Sequence, residues 1–141
     1  MAIRKAEAEW KGDLFGGSGS MSLGSGSYTG PYSFKSRIED GAGTNPEELI
    51  AAAHSGCFSM ALSFILGSAG YAPERVHTQA QVHFDKVGEE FLITRIDLDT
   101  EAVVPGLDPT LFQELAAKAK AGCTVSRALA AVEITLSARL A

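Results

Sequence analysis

The stretch Asn45-Pro-Glu-Glu-Leu-Ile-Ala-Ala-Ala-His-Ser-Gly-Cys57-Phe-Ser-Met-Ala-Leu-Ser63 decides how this chain is read. A polar capping residue, a proline and two glutamates open it. An apolar run follows, in which Leu49, Ala53, Met60 and Phe64 recur at helical spacing as far as about Leu66, and Gly67 to Pro73 stops it. The stretch is a helix with a thiol on it. A second thiol, Cys123, follows Ala119-Lys-Ala-Gly122, just past a glycine helix stop where it can be reached. A lone buried cysteine is usually inert packing. Two cysteines that each sit at a structural punctuation point indicate paired redox chemistry.

The start of the first helix has two readings. With Thr44 as N-cap, Thr44-Asn-Pro-Glu47 is a capping box. With Asn45 as N-cap, Pro46 takes its preferred first position and Glu48 is the capping partner. Only the second reading leaves Glu47 free for other work.

Before this helix, Ile3 to Trp10 alternate as in a strand. Gly16 to Gly30 is rich in Gly and Ser, but Met21, Leu23 and Tyr28 within it fit glycine-tolerant strands joined by tight turns. Pro31 to Ile38 reads as a further strand with Arg37 near its end, and Asp40 to Gly43 as a turn. After the helix, Val76 to Phe84 and Leu92 to Leu98 alternate around Lys86-Val-Gly-Glu-Glu90, which predicts a β-hairpin. Asp108 caps a second helix with Pro109 at its first position, running to Ala121, and Val132 to Leu140 close the chain as a strand. Antiparallel strands in groups, separated by two main helices, make an α+β pattern.

A chain of 141 residues suits one domain, 1–141. Its net charge of −5 and lack of any Lys/Arg run argue against a nucleic-acid surface. The first ten residues contain no signal-like apolar segment, and no apolar run is read as long enough to span a bilayer. The expected location is cytoplasmic, where two cysteines more often form a transient disulfide than a structural one.

Four segments together carry a resemblance. They are Pro31-Tyr-Ser-Phe-Lys-Ser-Arg37, Gly43 through Ser63, Ala119-Lys-Ala-Gly-Cys123 and Ala131-Val-Glu-Ile-Thr-Leu136. The chain resembles, over nearly its whole length, the OsmC/Ohr family of thiol-dependent peroxidases, and more closely the osmotically inducible OsmC branch. In the Ohr branch the essential arginine lies in the early glycine-rich segment, and here no arginine falls between Arg4 and Arg37. The resemblance implies antiparallel sheets packed with two main helices in an intertwined homodimer. It also implies Cys57 as the peroxidatic cysteine, Cys123 as the resolving one, and Arg37 with Glu47 as the activating pair. The implied substrate is an organic hydroperoxide and the implied reductant a dithiol, with no metal and no organic cofactor. One departure is Thr124, where the family commonly has proline. Both residues tolerate the first turn of a helix, so altered rigidity is expected there rather than lost activity.

The chemistry stands on its own terms. A free thiol, with a reference pKa of about 8.5, is mostly protonated at neutral pH, so rapid attack on a peroxide requires a nearby cation. Arg37 keeps its charge, and its fork suits both a carboxylate and oxygen atoms of the substrate, while Glu47 would hold the fork in place. Along one straight helix, Glu47 and Cys57 are separated by about 15 Å of rise. That gap favours two helices crossing at a two-fold axis, so that Arg37 and Glu47 of one chain serve Cys57 of another. Ala51, Ala52, Ala53, Ser55 and Gly56 would permit the close approach.

Taken singly, Arg37 reads as a surface strand residue and Cys57 as packing. His54 is a second-layer or interface histidine, or a base one turn before Cys57. His77 and His83 read as solvent-facing, and Met60 and Phe64 as core, at a place where core and substrate pocket can be one surface; Phe58 and Met60 beside Cys57 would favour alkyl or lipid hydroperoxides over hydrogen peroxide. A redox-sensing or ligand-binding protein without turnover is the alternative function. A metal module of His54, Cys57 and Cys123 lacks ligand pairs at convincing spacing.

Overall fold

A computed structural model describes every residue from Met1 to Ala141, and its backbone contacts divide into two units, Met1–Leu49 and Ile50–Ala141. The first unit holds an antiparallel sheet of β1 (Ala6–Lys11), β2 (Ser18–Leu23) and β3 (Thr29–Tyr32), in that order. Its glycine-rich strand is explained by Gly19. Trp10 and Tyr32 lie over this position with ring centroids 5.3 Å apart, and a Cβ at Gly19 would sit 2.5 Å from the Tyr32 ring. Only glycine lets the two rings meet there.

The strand expected over Pro31–Ile38 ends at Tyr32, and Phe34–Ile38 is a short helix, α1. The reason is a reciprocal capping box. The Ser36 N–H donates to Ser33 Oγ at 3.1 Å, and the Ser33 N–H donates to Ser36 Oγ at 2.8 Å. Alternation in such a short segment is weaker than a cap that satisfies two helix-end donors. Arg37 is therefore a helix residue.

Helix α2 spans Pro46–Ser68, and its start settles the capping question. The Glu48 N–H donates to Asn45 Oδ1 at 2.7 Å, which makes Asn45 the N-cap and Pro46 the first residue. The Glu48 carboxylate accepts from the Thr44 hydroxyl at 2.7 Å instead of closing a box. α2 is long and apolar enough, by length and composition, to cross a membrane, which corrects the reading that no run reaches that length. One line of it is nonetheless committed to a protein core, since His54, Phe58, Leu62 and Leu66 are all fully buried. Met60 and Phe64, expected in the core, are 76% and 73% exposed. Because α2 is apolar nearly all round, the spacing of its hydrophobic residues does not select a face.

In the second unit, β4 (Arg75–Val87) and β5 (Glu90–Val103) form a long hairpin that turns at Gly88-Glu89 and carries an irregularity at His83/Phe84. Gly88 supplies the left-handed backbone the turn requires, at φ 65°. Helix α3 (Pro109–Gly122) starts as expected, with Asp108 accepting from the Leu111 N–H. A five-residue helix α4 (Thr124–Ala128) follows, then β6 (Glu133–Leu140).

β6 pairs with β5 in parallel, with Ile96 opposite Ile134 and Leu98 opposite Leu136, so this sheet is mixed rather than antiparallel. The two helices between β5 and β6 carry the chain back to the start of the sheet, and a crossover of that length permits parallel pairing. Ile96, Leu98, Thr100 and Ala102 supply the buried face of β5. Phe112, Leu115, Ala116 and Ala119 supply that of α3. Each fully buried Phe or Leu contributes about 1.5–3 kcal/mol relative to exposure.

Candidate functional site

The two thiols meet in the second unit. Cys57, on α2, and Cys123, between α3 and α4, are free cysteines with their sulfur atoms 3.4 Å apart. Local backbone places Cys123 there. It leaves α3 in an extended conformation (φ −62°, ψ 119°) while its N–H still donates to the Ala119 carbonyl at 2.8 Å, and it serves as the N-cap of α4. The helix thus ends through Cys123 itself, not through a left-handed glycine at 122.

The expectation that Cys123 can be reached is overturned, because its exposure is 0%. Cys57 is half-buried and lines an open cavity of about 660 Å³, together with Met60, Ala61, Phe64, Ile65 and the backbone turn at Gly122 and Thr124. The lining is largely apolar, with Lys118 its one charged residue. A thiol at an apolar cavity, backed by a second thiol sealed from solvent, can be oxidised by a small molecule and then form a disulfide.

Three groups beyond Cys57 bear on the Cys123 sulfur. Burial alone raises this thiol's pKa. The hydroxyl and N–H of Ser126, with the Val125 N–H and the Cys57 thiol, outweigh that effect and bring it below its ordinary value. These donors do not amount to a formed helix cap, since the Cys123 side chain makes no cap hydrogen bond. Ser126 was not among the residues singled out from sequence. The signal available was the matched spacing of His54 to Cys57 and Cys123 to Ser126.

His54 is fully buried and bonds to Ser126, with Nε2 2.6 Å from the hydroxyl oxygen. Burial lowers its pKa, so the ring is held neutral. Its Nδ1 is the one buried side-chain polar atom without a partner. No three His, Cys, Asp or Glu side chains are grouped so as to hold a metal ion, and His54 is already engaged by a hydroxyl.

In the first unit, Arg37 and Glu47 form a fork. Nε donates at 3.1 and 3.2 Å to the two carboxylate oxygens, and Nη2 donates at 2.7 Å to Oε1. The Glu47 side chain is only 8% exposed and that of Arg37 41%, so the carboxylate is the anchored member. α1 is held to the start of α2 by two further bonds, from the Ser36 hydroxyl to the Thr44 carbonyl and from Asn45 Nδ2 to the Ser36 carbonyl.

The remaining histidines lie elsewhere. His77 is exposed, as expected. His83, expected to face solvent, is half-buried and sits 2.7 Å from Asp97. The Asp97 carboxyl is pulled down to about 2, first by the Thr135 hydroxyl, then by His83, with a smaller contribution from Arg95.

The chain is similar to known proteins in sequence and in fold. Residues 39–137 match the family model of the OsmC-like proteins. The chain is 51% identical over 138 residues to the peroxiredoxin OsmC of Escherichia coli (strain K12), covering 97% of this chain and 96% of that protein. Its fold is similar to an OsmC-like protein of unknown function from Vibrio cholerae, with a TM-score of 0.77 at 17% identity, covering 98% of this chain and 99% of that one. It is also similar to an organic hydroperoxide resistance protein OsmC from Legionella pneumophila, with a TM-score of 0.70 at 22% identity, covering 100% and 99% of the two chains. With two free thiols in contact behind an apolar cavity, and with a family match over most of its length, this chain belongs to the OsmC-like family.

Proposed function

We propose that the chain is a thiol-dependent peroxidase that reduces organic hydroperoxides to alcohols through Cys57. The observation that carries this reading is the contact between an accessible and a sealed thiol, 3.4 Å apart. Accessibility divides the roles, because a hydroperoxide can reach Cys57 from the cavity, whereas Cys123 is sealed from solvent with the Cys57 thiol beside it. The Cys57 thiolate attacks the terminal peroxide oxygen and the O–O bond breaks. The sulfur becomes a sulfenic acid and the alkoxide leaves, taking a proton to become the alcohol. The Cys123 sulfur then forms a bond to the Cys57 sulfur and displaces hydroxide, which departs as water with the thiol proton. A dithiol reductant restores both thiols by exchange. The apolar lining of Met60, Phe64 and Ile65 favours alkyl and lipid hydroperoxides over hydrogen peroxide.

In this reading Arg37, held by Glu47, supplies the cation that steadies the thiolate and the peroxide oxygens. The 1–141 chain acts as one peroxidase domain and as a homodimer, with Arg37 and Glu47 of one protomer serving Cys57 of the other. Two features support the dimer: the helical rise between Glu47 and Cys57, and the exposure of Met60 and Phe64 on an apolar helix. The reading places the enzyme in the cytoplasm, where a cycling pair of thiols meets its reductant.

The test is steady consumption of cumene hydroperoxide with dithiothreitol as reductant. Multiple turnovers that vanish in Cys57→Ser support the peroxidase. One equivalent consumed per chain, with no further turnover, favours a sensor.

A further inference from the structure

The contact between the thiols and the bond between His54 and Ser126 repeat the same spacing on both partners. His54 lies three residues before Cys57 on α2, and Ser126 three residues after Cys123 at the end of the first turn of α4. The His54–Ser126 bond is 2.6 Å long and buried. It is a second tie between α2 and α4, one helical turn from the sulfur pair.

The tautomer follows from the unpartnered nitrogen. A buried N–H with no acceptor is costlier than a bare lone pair, so the proton belongs on Nε2 and Nδ1 is left as an unused acceptor. Nε2–H then donates to Ser126 Oγ. This leaves the Ser126 hydroxyl proton to point elsewhere, and Ser126 stands at the third position of the helix that Cys123 caps, with the turn closed by the Arg127 N–H on the Cys123 carbonyl at 3.0 Å, the position whose side chain reaches back toward the cap residue.

We infer that His54 and Ser126 are positioning residues for the second half of the reaction: His54 orients the Ser126 hydroxyl so that it donates to the Cys123 sulfur as that sulfur attacks the Cys57 sulfenic acid. The inference rests on the proposed roles of Cys57 and Cys123. In that step the Cys123 lone pair makes the S–S bond, the Cys57 S–OH bond breaks, and hydroxide leaves as water with the Cys123 proton. The hydroxyl contributes by stabilising negative charge on the attacking sulfur, and no net proton reaches His54. The first step, oxidation of Cys57 by the hydroperoxide, does not involve the pair.

The experiment follows both steps in a single turnover with one equivalent of cumene hydroperoxide. Cys57 sulfenic acid is trapped with dimedone and the disulfide is read by mass spectrometry after rapid quenching. Ser126→Ala and His54→Leu remove the donor chain. Ser126→Thr retains the hydroxyl, and His54→Gln retains an N–H at the same reach. In the two removals, Cys57 oxidation should stay within about twofold of the parent while disulfide formation slows about tenfold or more, as loss of a hydrogen bond to a charged sulfur predicts. Dimedone capture should rise, and Ser126→Thr and His54→Gln should restore the second step.

An unchanged disulfide rate in Ser126→Ala overturns the inference. So does an equal loss in both steps, or failure of both removals to fold, since either outcome makes the pair structural. A parent protein that forms no sulfenic acid at all would instead overturn the peroxidase reading itself.

Discussion

Cys57 and Cys123 are 66 residues apart in sequence and 3.4 Å apart at sulfur, with only Cys57 open to the cavity. One equivalent of an organic hydroperoxide should therefore convert the reduced chain to a form about 2 Da lighter, carrying an intrachain Cys57–Cys123 disulfide. Peptide mapping under non-reducing conditions reads this directly. Two free thiols after treatment, or only an interchain bond, would contradict the mechanism.

The two cysteines should fail differently when replaced. Cys57→Ser should abolish peroxide reduction, because a serine hydroxyl is not ionised near neutral pH. Cys123→Ser should complete one turnover and then stall, with Cys57 accumulating as sulfinic acid on excess peroxide. Intact-mass spectra after one and after ten equivalents separate the two variants.

Arg37 should act through its fork as well as its charge. Arg37→Lys keeps a cation but loses the two-point grip on Glu47, and a loss of about tenfold in kcat/KM is expected; Arg37→Met should lose about 100-fold or more. Arg37→Met also strips the fork from a buried carboxylate and should cost about 1–3 kcal/mol, a value reduced by the partial exposure of Arg37. Steady-state kinetics alongside urea unfolding measures both. Parent-like kinetics in Arg37→Met would remove Arg37 from the chemistry.

If the sites are shared between protomers, mixing Cys57→Ser chains with Arg37→Met chains should regenerate activity. One site of the mixed dimer then combines an intact Cys57 and Cys123 from one chain with an intact Arg37 and Glu47 from the other. Co-refolding the two inactive variants and assaying against each alone is the measurement. No gain would sink the shared site and leave the peroxidase reading in place.

Stability should fall on mild acidification. The His54 pKa is lowered by burial, so between that value and about 6.5 the unfolded chain binds a proton that the folded chain does not. The contribution is fully present above about pH 6.5 and is lost as pH falls through the folded-state pKa. The urea midpoint should drop between pH 7.5 and pH 5.5, and this part of the drop should be absent in His54→Gln. An equal drop in the variant would assign the effect to other groups.

Much of this protein was determined by residues close together in sequence. Asn45-Pro46 and Asp108-Pro109 carry their helix starts in the cap itself, and the alternation from Val76 to Leu98 carries its hairpin, because each satisfies its backbone within a few residues. The pairing of Arg37 with Glu47 was implied by the family resemblance, and the structure settled the capping register that leaves Glu47 free for it. Only the tertiary structure decided the rest. It chose which face of α2 is buried, since a helix apolar on every side contains no internal preference between Phe58 and Met60. It set β6 parallel to β5, because direction depends on where α3 and α4 return the chain. It sealed Cys123 and left Cys57 open, and it brought Ser126 to His54 across 72 positions, since burial and long-range contact belong to the packed chain and not to any local segment.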